Sequence, residues 1–170
     1  MKNKFGKQLG TTPERHKARL KQVWVYKKML EAAMDKKLRV YTSALTTVEC
    51  VKVNGDATQE VQDAFTKLFS APNLIIPVQA THAVQELAKG LKWSHGINLK
   101  PLDSIQVASA VIAGTKEFIT TDGEDNMKSN SILGNAALIE EKLGLRVTLA
   151  TGTQELPEDY RMDELFPKNS

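Results

Sequence analysis

A chain of 170 residues, 41% hydrophobic and 25% charged, has the length of one domain and a composition that excludes collagen, low-complexity disorder and a disulfide scaffold. Its single cysteine, Cys50, excludes an internal bridge and favours a reducing, cytoplasmic location. No apolar run approaches the roughly 20 residues of a membrane span, and the charged N-terminus lacks the apolar core of a signal peptide. The net charge of +3 is unevenly placed: residues 1–39 hold twelve Lys and Arg against Glu14, Glu31 and Asp35, whereas the remainder holds eleven basic against seventeen acidic groups. That division suggests a polyanion-binding surface near carboxylates that want cations; a solvated, lysine-rich helix is the plainer alternative.

Residues 1–12 carry Lys and Gly without apolar periodicity and read as a loose basic arm. Thr12 is a suitable cap and Pro13 a suitable first residue for a helix to about Lys36. Its apolar stripe is expected from Leu20, Val23, Trp24, Tyr26, Lys27, Leu30 and Met34. Leu38 to Thr42 alternates as a short strand, and Ser43 caps a helix that Asn54-Gly55 breaks. Asp56 begins another helix, with Val61, Ala64, Phe65 and Leu68 on one face. Asn73 to Pro77 reads as a buried strand, and Gln79 to Trp93 as a helix. Pro101 opens a helix expected to turn Ile105, Ala108, Val111 and Ile112 inward and to stop at Gly114. A strand over Glu117 to Thr121, a helix over Ile132 to Leu143 and a strand over Leu145 to Leu149 complete the pattern. Residues 13–150 thus form one domain, and the acidic stretch 151–170 a loop or loosely docked extension. Strands alternating with crossover helices predict an α/β fold, three layers deep (α/β/α) around a central parallel sheet.

There is no P-loop and no dinucleotide fingerprint. The three histidines (His16, His82 and His95) share no ligand spacing, and Cys50 has no paired thiol, so neither supports a metal site. The carboxylates are more informative, because chemistry in a parallel α/β sheet gathers beyond the carboxyl ends of the strands. Asp122 directly follows the strand Phe118 to Thr121. Glu49 lies in the helix after the strand that ends at Thr42. Asp103 occupies the first turn of the helix opened by Pro101. Each also has a structural reading: Asp103 complements a helix dipole, Asp122 with Gly123 builds a turn, and Glu49 is simply exposed.

Taken together, the segments Thr42 to Glu49, Leu99 to Ala110 and Phe118 to Asp122 resemble the PIN-domain family of metal-dependent ribonucleases, which includes toxin components of toxin–antitoxin pairs. The middle segment, with its helix-opening Asp103 followed by small and apolar residues, is the most specific. The resemblance implies a PIN-like, Mg²⁺-dependent (or Mn²⁺-dependent) endoribonuclease of the toxin type. Glu49, Asp103 and Asp122 would be its catalytic and metal-binding acids, with Asp125 in a place where the family sometimes carries another. Hard cations take oxygen ligands, and crowded carboxylates repel unless a cation neutralises them. The expected partners are RNA, guided by Arg15, Arg19, Lys27 and Lys28, together with a cognate antitoxin protein and a second copy in a homodimer. One departure stands out. Family members begin with a central strand whose end carries an Asp, and nothing before Pro13 reads as a strand. The expectation is a late-called start, with two flanking strands short of a neighbour and an open slot in the core. The alternative function is a catalytically impaired PIN-fold module that binds RNA or a protein without cutting.

Overall fold

A computed structural model describes residues 12–49, 59–71, 74–125 and 127–161, with the side chains of 47–49 excepted. Helix α1 (Pro13–Met34) begins as a proline-opened helix should: the Thr12 hydroxyl accepts a hydrogen bond from the Arg15 amide. Lys36 takes a left-handed turn (φ 59°) just after it, and the Ala32 carbonyl accepts from the amides of Lys37 and Leu38. The chain then enters β1 (Tyr41–Ser43) and α2 (Ala44–Glu49), where the Ser43 hydroxyl accepts from the Leu45 amide. Next come α3 (Gln59–Ser70), β2 (Ile76–Val78), α4 (His82–His95) and α5 (Pro101–Ile112). Helix α4 is capped by Thr81 and closed by Gly96 in the left-handed region, where glycine carries no Cβ penalty. Beyond α5 lie β3 (Glu117–Ile119), α6 (Ala136–Leu143) and β4 (Arg146–Thr148), followed by two single 3₁₀ turns at Ala150–Gly152 and Glu158–Tyr160. Among these helices none is long and apolar enough to cross a membrane.

The fold is of mixed α/β type, with short parallel sheets. Strand β1 pairs with β2, and β3 pairs with β4, so the described residues form two two-stranded sheets instead of one continuous sheet. The Asn73–Pro77 segment, expected as a buried strand, contributes β2 at an edge. Pro77, opposite Thr42, is exposed and has no amide hydrogen to offer an outer neighbour. On their other sides β1 and β3 line a common cavity of about 800 Å³, through Tyr41, Thr42 and Ser43 of one and Glu117, Phe118 and Ile119 of the other.

The larger core joins α4, α5, α6 and the second sheet through Leu91, Val107, Ile132, Ile139 and Leu145, with Phe118 and Val147 packed against them. The smaller joins α1 to the chain after β4 through Val25, Ala32, Ala150 and Leu156. The stretch after Thr151 is held to α1 and the turn that follows it as far as Tyr160. Leu156 is buried, the Tyr160 hydroxyl donates to Asp35, and Lys37 pairs with Asp159 at 3.0 Å.

Helix α1 presents a different face to the core from the one expected, and α5 does so in part: its Ala108 and Val111 face the core as expected, but Ile112 does not. In α1 the buried residues are Gln22, Val25, Ala32 and Ala33, while Leu20, Val23, Tyr26 and Met34 are exposed. In α5 the buried residues are Ser104, Val107, Ala108 and Ser109, and Ile112 is exposed. Both helices are apolar over much of their circumference, so periodicity alone does not choose the buried side; the small residues allow the closest approach.

Candidate functional site

Two chain segments meet beyond the carboxyl end of β3. The first is the start of α5, where Lys100 is extended before Pro101 and Asp103 lies in the first helical turn. The second is the loop after β3. There the Asp122 amide donates to the Thr120 hydroxyl, and its carboxylate accepts from the Ile132 amide at 2.8 Å. The Asp122 carbonyl also accepts from the Leu133 amide, so this residue closes the loop from both ends. Gly123 (φ 97°) cannot be replaced without strain, since a Cβ there would lie 2.6 Å from the Ser131 hydroxyl oxygen.

Asn135 holds the two segments together. Its buried amide donates to the carbonyls of Asn98, Ser129 and Ser131 at 3.3, 3.0 and 2.8 Å. The result is a shared electrostatic contact. The Lys100 ammonium lies 3.8 Å from an Asp103 carboxylate oxygen and 3.9 Å from an Asp122 carboxylate oxygen. Lys100, Asp122, Asp125, Lys128, Asn130 and Ser131 line a small cavity of about 240 Å³ beside it.

Asp125 is more peripheral, largely exposed and ion-paired with Arg15 in the first turn of α1. The neighbouring Glu124 accepts from the Gln22 amide at 2.6 Å, a second tie between α1 and this loop. Although Tyr26 keeps part of its surface in water, partial desolvation of its phenol first, and the Glu124 charge second, push that phenol above its ordinary range. Of the four cations expected to guide RNA, Arg15 therefore lies beside the candidate site. Arg19 is exposed one turn further along α1. Lys27 lies 3.9 Å from Glu31, and Lys28 lies 2.6 Å from the same carboxylate and 5.6 Å above the Trp24 ring. Lys27 and Lys28 are over three helical turns from Arg15, roughly 18 Å along the axis.

Glu49 ends α2 in its backbone course, but its side chain lies outside the described residues, as does Cys50 altogether. His82 and His95 begin and end α4, far apart along one helix. Among the described residues no group of three or more Asp, Glu, His or Cys side chains is placed to hold a metal ion. The paired Asp103 and Asp122 still fit Mg²⁺ or Mn²⁺ in kind, as hard oxygen donors in a partly sheltered position; Lys100 would compete for the same charge. Asn135 and Lys100 were not marked by motif reasoning. The Lys100–Asp103 spacing of three residues was a usable signal for one of them; Asn135 had none.

No family model, curated protein or solved structure matches this chain.

Proposed function

We propose that the protein is a PIN-like, Mg²⁺- or Mn²⁺-dependent endoribonuclease of the toxin type, built on a three-layer α/β/α plan and acting in the cytoplasm. Asp103, Asp122 and Glu49 are its metal-binding and catalytic acids in this reading, and Asp125 is a supporting acid. The observation that carries it is the shared contact of Asp103 and Asp122 with Lys100, two acids from separate elements facing one cation beyond a strand's carboxyl end. A divalent ion held there would polarise a phosphodiester and make bound water a better nucleophile.

The chain's own residues contribute the rest. Lys100 and Lys128 offer positive charge to phosphate at the mouth of the small cavity, and Asn130 offers an amide for hydrogen bonding. The Asp122 carboxylate, fixed by the Ile132 amide, keeps one oxygen aimed at Lys100. RNA would reach the site along Arg15 and Arg19, with Lys27 and Lys28 further out. A cognate antitoxin and a second copy of the chain are the protein partners of this reading.

Cleavage of single-stranded RNA should require Mg²⁺ or Mn²⁺ and stop with EDTA. Asp103→Asn should remove most of that activity, at least about tenfold, while leaving the fold intact or more heat-stable, since it lowers the charge on a repelling acid pair. If Asp103→Asn cuts as well as its parent, Asp103 serves the helix and not the chemistry.

The division of the strands into two sheets favours a second reading: a PIN-fold module that binds RNA or a protein without cutting. Weak Mn²⁺ binding by calorimetry, together with RNA binding and no metal-dependent cleavage, would select it.

A further inference from the structure

The outer side of α1 carries Leu20, Val23, Lys27, Leu30 and Met34, spaced by three and four residues in turn. That is the repeat of a coiled-coil seam, sustained over about 21 Å of helix. A seam of this kind normally faces another helix. Here it is turned mostly outward: Leu20, Val23 and Met34 are 52, 63 and 70% exposed, the Lys27 side chain is 73% exposed, and Leu30 is half-buried. The opposite side of the same helix, with Val25 and Ala32, already supplies its contribution to the core. The fold therefore does not need this stripe, and leaving so much apolar surface in water is unfavourable by about 25 cal/mol per Å².

We propose that this face of α1 docks an amphipathic α-helix of a partner protein whose apolar stripe is flanked by acidic residues, one of them opposite Lys27. The spacing selects a helix as the occupant, since ridges repeating every 3.5 residues pack into the matching grooves of another helix. Charge selects an acidic one. Lys27 stands in the middle of the stripe, and Lys17 and Arg19 extend the positive charge at its N-terminal end, where both are exposed. Glu31 is the stripe's nearby acid; Lys28 engages it at 2.6 Å, and Lys27 lies 3.9 Å from it, a looser surface contact that a partner carboxylate can replace. A second copy fits poorly. Pairing the whole stripe with itself, parallel or antiparallel, sets Lys27 against Lys27, and like charges across a desolvated seam oppose association. RNA fits poorly as well, since phosphates gain nothing from Leu20, Val23, Leu30 and Met34.

The test uses the full chain and a labelled three-heptad synthetic helix with Leu along its seam, Glu on its flanks and one Glu opposite Lys27. Binding is read by fluorescence anisotropy at moderate salt. The acidic peptide should bind at least about tenfold tighter than the same peptide with Lys in place of Glu, and Lys27→Glu should reverse that preference. Replacing the peptide's seam Leu residues by Ser should abolish binding. Leu20→Ser combined with Val23→Ser should weaken it by about tenfold or more with an unchanged melting temperature, as expected of exposed positions.

Equal binding by the Ser-seam peptide would reduce the face to a charged surface and overturn the proposal. So would absence of binding by the acidic peptide. Self-association in sedimentation that Val23→Ser dissolves would assign the face to a second copy. Loss of RNA binding in the Leu20→Ser, Val23→Ser variant, with peptide binding retained, would assign it to RNA. Absence of peptide binding leaves the nuclease reading untouched, since that reading is tested by metal-dependent cleavage and its loss in Asp103→Asn.

Discussion

Asp122 does two things at once, and the two can be separated. One carboxylate oxygen accepts from the Ile132 amide and organises the loop before α6; the other lies 3.9 Å from the Lys100 ammonium. Removing the side chain leaves a partly buried amide without its acceptor, which costs about 1–3 kcal/mol. Asp122→Ala should therefore lower stability by that amount in urea unfolding, whereas Asp122→Asn, which keeps a carbonyl oxygen, should lose less than half as much. Both should lose metal-dependent cleavage, so the Asn variant isolates the charge from the fold. Tyr26 offers a second residue-scale test. Its phenol is held above the usual value of about 10, by burial and then by Glu124, so the folded state keeps the proton to higher pH than the unfolded chain does. The stability linked to this group is complete below pH 10 and is lost as pH rises through and beyond that value. Tyr26→Phe should flatten the alkaline fall in melting temperature and remove a late-titrating phenolate from the absorbance titration.

At the scale of elements, the second sheet depends on an acid with no catalytic part in the proposed chemistry. Glu117 opens β3 with its side chain only 5% exposed. It accepts from Arg146 on the paired strand at 2.8 Å, from the Thr153 hydroxyl at 2.6 Å and from the Gln154 amide at 3.0 Å. One carboxylate thus ties β3, β4 and the chain beyond them. Glu117→Ala should destabilise by about 3 kcal/mol, toward the low end for a broken buried pair because Arg146 can regain water. Thermal unfolding checks this; a shift of under a degree would mean that the loop over Thr153 is held by Leu156 alone. Helix termini were the most legible elements in the sequence. Thr12 with Pro13, Pro101 and Gly144 all act where their chemistry predicts, because capping and φ preferences are local. Strands were less legible: each is three residues long, two or so shorter than the alternation suggested, because pairing needs a partner that the local sequence does not contain.

At the scale of the whole molecule, the described residues leave a gap between two sheets. Strands β1 and β3 each have a neighbour on one side and the 800 Å³ cavity on the other. Through Arg15 and Asp125, the start of α1 lies beside the loop that follows β3. Replacing residues 1–11 by an apolar, β-branched strand, with Thr12 kept as the cap, should raise the melting temperature by roughly 5 °C or more if that strand pairs with the open edges of β1 and β3. Calorimetry of the altered and parent chains makes the comparison. An unchanged melting temperature would show that the cavity does not take a strand. In the proposed nuclease, the same replacement carrying an Asp at the strand's end should also strengthen Mn²⁺ binding.

The sequence alone was enough to order the helices and strands, and to mark Asp103 at a helix start and Asp122 beyond a strand end. These properties are local, or follow from element order. Tertiary structure alone decided which side of α1 and α5 is buried, that Lys100 stands between Asp103 and Asp122, and that Asn135 holds the two segments together. Such contacts join residues dozens of positions apart in the chain. A helix that is apolar on several sides has no preferred face until its neighbours take one. That is why α1, read as a core helix, is found with its most regular apolar stripe in solvent.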